Sequence, residues 1–490
     1  MDRPPLRIGI LVVAYNASTT LRSVLARIDP AFRSRISAVL VSDDHSADDT
    51  YHVGLEVQRE EEQREELGLR VVVVRQPRNL GYGGNQKFGY RWAVEEGLDA
   101  VVLLHGDGQY APELLADIVG PLERDEADVV MGSRMMVPGA ARQGGMPRYK
   151  YVGNRILTRF QNAVSGLHLS EWHSGYRAFS VAALARIPFE QNSDGFDFDT
   201  EVLLQLHDAG ARVREVPIPT YYGDEICYVD GIAYARAVVA DVLRYRLQRV
   251  GFGDDSLAVT SETYELKPDE GSSHSRLVEW LGGRPSGRLL DLGCAEGYVA
   301  ADLRRLGHHV TGVDLSARPG VKERVDTFVE ADLDEGLPPS VAEATFDVVV
   351  AADVLEHVRD PERLLRDLHS VLAPGGRLLV SVPNFGHWYP RLRVASGRFD
   401  YDRRGILDRG HVRFFTRRSF ARVLHRTGWH VLRHEVTGLP FDVADRGVDS
   451  GLGARLRDTV GRIDALGVRL RPTLFGYQLL YELEPAIGRV

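Results

Sequence analysis

LLDLGCAEGYVA, residues 289–300, reads as a strand, a tight turn and the opening of a helix. Gly293 and Gly297 keep the backbone clear of a bound ligand, and the helix N-terminus that follows favours a carboxylate or phosphate. The same alternation continues outward through HHVTGVDLS (308–316), VDTFVEAD (325–332), FDVVVAAD (346–353) and GRLLVSVPN (376–384). Apolar runs separated by helical patterns predict a parallel sheet covered on both faces, with ligands at the carboxyl ends of its strands. Asp314 closes the second of these strands, where an acidic side chain reads ribose hydroxyls. On spacing alone a dinucleotide site is equally open.

A separate alternation precedes it: RIGILVVAY (7–15), SAVLVSD (37–43), LRVVVV (69–74), DAVVLLHGD (99–107) and ADVVMGS (127–133). Helical patterns such as STTLRSVLARI (18–28) and QKFGYRWAVEEG (86–97) lie between them. The fold class is therefore α/β with two doubly wound domains. Residues 136–250 are less regular, richer in aromatics, and close on a helical pattern at 234–248. The Gly-, Asp- and Ser-rich segment 251–273 reads as a linker between domains spanning 1–250 and 274–490.

Composition narrows the class. A length of 490 residues exceeds one ordinary core, and 44% hydrophobic content supplies apolar surface for more than one. A net charge of -9 argues against a nucleic-acid partner, because phosphate backbones select basic faces. The two cysteines, Cys227 and Cys294, make neither a disulfide framework nor a zinc spacing, so a reducing, cytoplasmic setting is expected. The N-terminus reads as a first strand, and no run reaches the roughly 20 apolar residues of a transmembrane segment. Any membrane contact is expected to be peripheral, at the inner face.

Four motifs of the first half follow strands: AYNAS (14–18), VSDDHSADDT (41–50), NLGYGGNQK (79–87) and LLHGDGQYAPE (103–113). Paired carboxylates at a strand end, Asp43 and Asp44, can accept from a base or ribose, or cap the next helix. The glycines of 79–87 let backbone N–H groups approach an anion, which makes Asn79, Gly81 and Lys87 donor-site candidates. Asp107 and Gln109 offer oxygen ligands for Mg²⁺ or Mn²⁺.

In this order the motifs resemble glycosyltransferase family 2, in particular its polyprenyl-phosphate sugar transferase branch, over roughly residues 6–230. The resemblance implies a GT-A fold, a nucleotide-diphospho-sugar donor, inversion at the anomeric carbon, and a glycan or lipid-phosphate acceptor. It places Tyr15, Asn16, Asp43 and Asp44 around the nucleoside, Asp107 and Gln109 at the metal, and Arg134 and Arg177 on phosphate. Two positions depart from the pattern: His105 stands for the first Asp of Asp-x-Asp, and Ala17 for a Glu. Histidine binds divalent metals and favours Mn²⁺ over Mg²⁺. A hydroxyl acceptor needs a general base, for which Asp197, Asp199 and Glu201 are candidates; a phosphate acceptor is already anionic and needs none.

The second half resembles the class I methyltransferases that use S-adenosylmethionine, a Rossmann-like fold, over roughly residues 272–435. LLDLGCAEG, VEADLDEG (329–336) and the block from LEHV to PGG carry the likeness, with Ala295 replacing a usual glycine. It implies that Asp291, Gly293, Cys294 and Gly297 surround the methionine moiety, Asp314 and Leu315 the ribose, and Asp332 and Leu333 the adenine. Asp353 is implied on the acceptor side. His357 and His411 are the candidate bases for a hydroxyl acceptor. The expected protein is bifunctional, adding a sugar and O-methylating the same glycan. The alternative is that one domain only binds its ligand.

Overall fold

The computed structural model describes residues 4–66, 68–221, 230–249, 253, 257, 273–402, 405–439 and 451–486, with backbone only for 451–460. The expected linker, apart from residues 253, 257 and 273, lies outside the described residues, as does Cys227. Two compact units emerge. The first is built from 1–247 with 255–261 and 447–449, and the second from 248–254, 262–446 and 450–490.

The first unit holds a seven-stranded sheet in the order β3-β2-β1-β4-β6-β5-β7. Its strands are β1 (Ile8–Ala14), β2 (Ile36–Asp43), β3 (Val71–Arg75), β4 (Ala100–His105), β5 (Val129–Ser133), β6 (Arg177–Ser180) and β7 (Val213–Pro217). All seven residues of β1 are buried, as a central strand covered on both faces requires. Leu11 and Val13 enter one core, and Ile8, Ile10 and Val12 the other, by the two-residue period of a strand. The expectation of a purely parallel sheet is corrected at β6, which runs antiparallel between β4 and β5. This strand is formed by the end of HSGYR (173–177), so the irregular segment returns into the sheet and carries Arg177 inside.

The second unit holds another seven-stranded sheet, in the order β10-β9-β8-β11-β12-β14-β13. The strands are β8 (Arg288–Leu292), β9 (His309–Asp314), β10 (Thr327–Glu330), β11 (Phe346–Ala352), β12 (Leu372–Pro383), β13 (Trp429–Thr437) and β14 (Gln478–Pro485). β8 to β12 are parallel, and β14 inserts antiparallel between β12 and β13. The tail from 470 to 485 is thus a short helix, Pro472–Phe475, followed by a buried strand. Strand order reverses between β1 and β4 in one sheet and between β8 and β11 in the other, and both crevices open at carboxyl ends.

Candidate active sites

In the first unit, the ends of β1, β2 and β4 converge. Asn16 has φ +50, its N–H donates to Ser46 Oγ (2.9 Å), and its Oδ1 accepts from the Ala47 N–H (3.0 Å). Asp43 is fully buried; its Oδ1 accepts from the Ser46 N–H at 3.2 Å and from the Ser46 hydroxyl, while Oδ2 makes no hydrogen bond. Arg75 stands 3.6 Å from that oxygen. Tyr15 lies at the exposed rim.

Asp44 takes the capping role. Its two oxygens accept from the N–H groups of Leu80 (2.7 Å) and Gly81 (3.1 Å), at the start of the Gly81–Glu95 helix. Burial raises its pKa against the pull of these two bonds.

The glycine-rich stretch, expected as a loop around an anion, is corrected: from Gly81 onward it is helix. Its N-terminal amides are already held by Asp44, and Asn79 Oδ1 also accepts from Gly81 (2.9 Å). Lys87 is buried and donates to Asp194 (2.8 Å) and the Asn192 carbonyl. The glycines serve packing instead. A Cβ on Gly83 would lie 2.5 Å from the Ser193 carbonyl oxygen and 2.7 Å from Phe198 Cβ. Gly83→Ala is therefore expected to destabilise the first unit by roughly 2–3 kcal/mol, lowering its melting midpoint by roughly 5–10 °C in calorimetry. An unchanged midpoint would contradict this packing.

On the metal side, Asp107 Oδ1 accepts from the Gln109 N–H at 3.0 Å, closing the turn after β4. His105, expected as a ligand, is enclosed by aromatic neighbours. Its Nε2 is 3.1 Å from the Tyr82 hydroxyl, and its ring packs edge-on to Tyr110 at 4.9 Å. Tyr82 also donates to Asp199 (3.2 Å), linking the imidazole to that carboxylate. Burial pushes the imidazole pKa down.

Asp199 belongs to a buried network with Gln86 (3.1 Å) and Tyr82, and Tyr90 donates to Gln86 (2.7 Å). Arg177, expected on phosphate, is corrected: it is 1% exposed and bonds the carbonyls of Ser174, Asp199 and Trp172, each at 2.8 Å. Arg134 is bidentate with buried Glu171 and also meets the His173 carbonyl (3.1 Å). Burial raises the Glu171 carboxyl, and the charge and hydrogen bonds of Arg134 outweigh it, leaving the pKa below the ordinary value. Glu201 points elsewhere, accepting from the Ser193 N–H (2.6 Å) and Arg244 (2.6 Å) beside Asp241. Tyr82, Gln86 and Glu171 were not read from sequence; nothing in their local pattern marks partners more than 30 positions away.

In the second unit, Asp291 ends β8 with 2% exposure and an Oδ2 that makes no hydrogen bond. Burial, then the Asp314 charge, pushes its pKa up to about 7. The turn is strapped to β9: the N–H groups of Gly293 (2.8 Å) and Cys294 (3.1 Å) donate to Val313, and Ala295 donates to Asp314 Oδ2 (2.8 Å). Gly293 has φ +64, and a Cβ there would lie 2.7 Å from Val354, so the site needs glycine on two counts. Burial raises the Cys294 thiol far above its ordinary pKa, leaving an inert wall residue. Leu315 is exposed, Leu333 packs on the core, and Asp332 Oδ1 accepts from Asp334 (2.8 Å).

Asp353 acts as a clasp. Ser381 donates to it at 2.6 Å, and Gln478 reaches both oxygens at 2.8 and 2.7 Å, tying β11 to β12 and β14. The rings of His357 and His411 lie 4.8 Å apart. Their Nδ1 atoms face the carbonyls of Gly410 (3.0 Å) and Ile406 (3.2 Å), so each Nδ1 donates and Nε2 is left as the basic nitrogen. Burial, then the His357 charge, lowers the pKa of His411. Among the described residues, two trios bring ligand atoms within 4.8 Å of one another: Glu356, His357 and His411, and Asp197, Glu201 and Asp241.

Two folds, each with carboxylates and a tight turn at a topological switch point, define a chain of two transferase units. Residues 9–187 match the family model described as glycosyl transferase family 2, and residues 269–434 the one described as methyltransferase domain. The chain carries a family 2 glycosyltransferase domain at its N-terminus and a methyltransferase domain at its C-terminus. The first half is similar to the UDP-N-acetylglucosamine--dolichyl-phosphate N-acetylglucosaminyltransferase of Methanococcus voltae, 28% identical over 220 residues, covering 44% of this chain and 86% of that protein. It is also similar to the undecaprenyl-phosphate mannosyltransferase of Micrococcus luteus, 29% identical over 214 residues, covering 44% and 83%. The second half is similar to the ubiquinone biosynthesis O-methyltransferase of Caulobacter sp. (strain K31), 39% identical over 104 residues, covering 20% of this chain and 41% of that protein.

Proposed function

We propose that the first unit transfers a sugar from a nucleoside diphosphate to a polyprenyl phosphate, with inversion, and that the second O-methylates a sugar of the same glycan with S-adenosylmethionine. The observation that carries the first part is the engagement of Asp199 and Glu201 in buried networks. A phosphate acceptor arrives ionised and leaves no proton for them to take. The relatives named for dolichyl and undecaprenyl phosphate support the same acceptor class.

In this reading Asp43 and Tyr15 would receive the nucleoside, and Asp107 would hold a divalent cation. The cation supplies charge neutralisation for the leaving diphosphate. Arg177 and His105 stay in the buried network around Asp199 and Tyr82. No helix among the described residues is long and apolar enough to cross a membrane. The Arg148–Ser165 helix exposes Tyr149, Val152 and Ile156 beside Arg148, Arg155 and Arg159, a face suited to an anionic lipid surface.

In the second unit the unpartnered oxygen of Asp291 suits an ammonium, the strapped turn from Gly293 to Gly297 would receive the cofactor backbone, and Asp314 would receive its ribose. S-adenosylmethionine supplies the electrophilic methyl group. His411 Nε2, oriented by the Ile406 carbonyl, takes the acceptor proton.

Transfer of labelled sugar to undecaprenyl phosphate with Mn²⁺, native chain against Asp107→Ala, tests the first part. The variant is expected to lose about 100- to 1,000-fold. Equal rates would refute the role of Asp107, and transfer by the native chain only to free sugars would refute the acceptor. Labelled methyl found on protein instead of glycan would refute the second part.

A further inference from the structure

Two exposed apolar faces border the methyl-transfer end of the second unit. β12 ends at Pro383, pairs there with Gln478 at the start of β14, and runs on into the Trp388–Ala395 helix. The Gly451–Leu470 and Pro472–Phe475 helices lead into β14 from the same end. Asn384 fastens the two arms, its Nδ2 donating to the carbonyls of Gly476 (2.8 Å) and Thr473 (3.3 Å). This is the end of the parallel strands on which Asp291, Gly293 and Asp314 lie.

On the Gly451–Leu470 helix, Ile463, Leu466 and Leu470 are 65%, 56% and 68% exposed, and their spacing puts them on one side. On the other arm Trp388 and Leu392 share a face, followed by Phe399 and Tyr401, all exposed. Arginines rim both faces: Arg462, Arg469 and Arg471 on one, Arg391 and Arg398 on the other, all exposed. Among the described residues two carboxylates here are engaged. Asp400 pairs with Arg393 at 3.5 Å, and Asp464 accepts from the Leu439 N–H at 3.1 Å. In a chain of net charge -9 this edge is locally basic as well as apolar.

An apolar stripe with aromatic residues and an arginine rim is the composition of a helix that lies in a bilayer interface. We propose that the methyltransferase unit docks through these two faces on an anionic lipid surface, so that its methyl acceptor is a lipid-linked glycan presented there. Apolar side chains enter the headgroup boundary, and the arginines add electrostatic attraction to anionic lipid. The proposal rests on the reading of a shared glycan pathway for the acceptor, but the docking itself does not.

The full chain is mixed with phosphatidylcholine vesicles, with and without phosphatidylglycerol, and followed by sedimentation and hydrogen exchange. Binding to the anionic vesicles is expected, with slowed exchange in peptides covering 388–395 and 461–471. Leu392→Glu combined with Leu466→Glu is expected to lose about tenfold in vesicle affinity, while S-adenosylmethionine still raises the melting midpoint as in the native chain. Binding without protection at those peptides, or native affinity in the variant, would overturn the docking, as would no vesicle binding at all. Equal methylation of the lipid-linked glycan and the same glycan released from lipid would overturn the acceptor class. Failure of sugar transfer with vesicle docking intact would fall on the proposed pathway alone.

Discussion

Arg177→Ala is expected to destabilise the first unit by about 3–5 kcal/mol. Arg177 is fully enclosed, bonds three backbone carbonyls, and lies 3.6 Å from the Asp199 carboxylate. Alanine strands all four acceptors inside the fold. Lysine keeps the charge but not the planar fork that reaches three carbonyls in different directions, so it rescues little. Calorimetry of the full chain should show one transition lowered by roughly 10 °C. The transition that S-adenosylmethionine raises should stay in place. A guanidinium on a phosphate would behave in the opposite way: transfer would fall while the midpoint held. That outcome would return Arg177 to the ligand.

The second large effect is a pH dependence centred on Asp291. Its pKa is about 7 in the folded unit, raised by burial and then by Asp314, against 3.8 for a free carboxyl. Between these values the native state keeps a proton that the unfolded chain has released. The contribution of this group is therefore present below pH 4, is lost as pH rises toward 7, and stays lost above it. Asp291→Asn removes the titration. The variant without cofactor should match the native chain at pH 4 and exceed it at pH 8 by something on the order of 4 kcal/mol, about three pH units of linkage. The same variant should respond less to S-adenosylmethionine, because the carboxylate suited to the ammonium is gone. A variant less stable than native at pH 8 would show that Asp291 is held ionised by a partner.

Both effects concern residues whose motifs are plain in the chain and whose surroundings are not. AYNAS, VSDD, HGDGQ and LLDLGC each sit at a strand end, because apolar runs alternating with helical patterns leave few places for such residues to go. Partner choice is another matter. Asp44 meets Leu80 and Gly81 across 36 and 37 positions, and Gln478 meets Asp353 across 125. The glycines of 79–87 have the composition of an anion loop, yet they are helix, because Gly83 must clear the Ser193 carbonyl of a segment 110 positions on. His105 sits where a metal ligand is expected, yet Tyr82, Tyr110 and Gly175 enclose its ring.

The order of apolar runs and turns in the chain by itself determined two α/β units and the strand ends that carry their chemistry, since burial period and turn residues are local properties. The tertiary structure decided that β6 inserts antiparallel, that Arg177 and His105 face inward, that Asp44 caps a helix, and that His357 and His411 meet. Those outcomes depend on which buried donors find acceptors across distant segments, a balance of desolvation and hydrogen bonding that exists only once the sheets are closed.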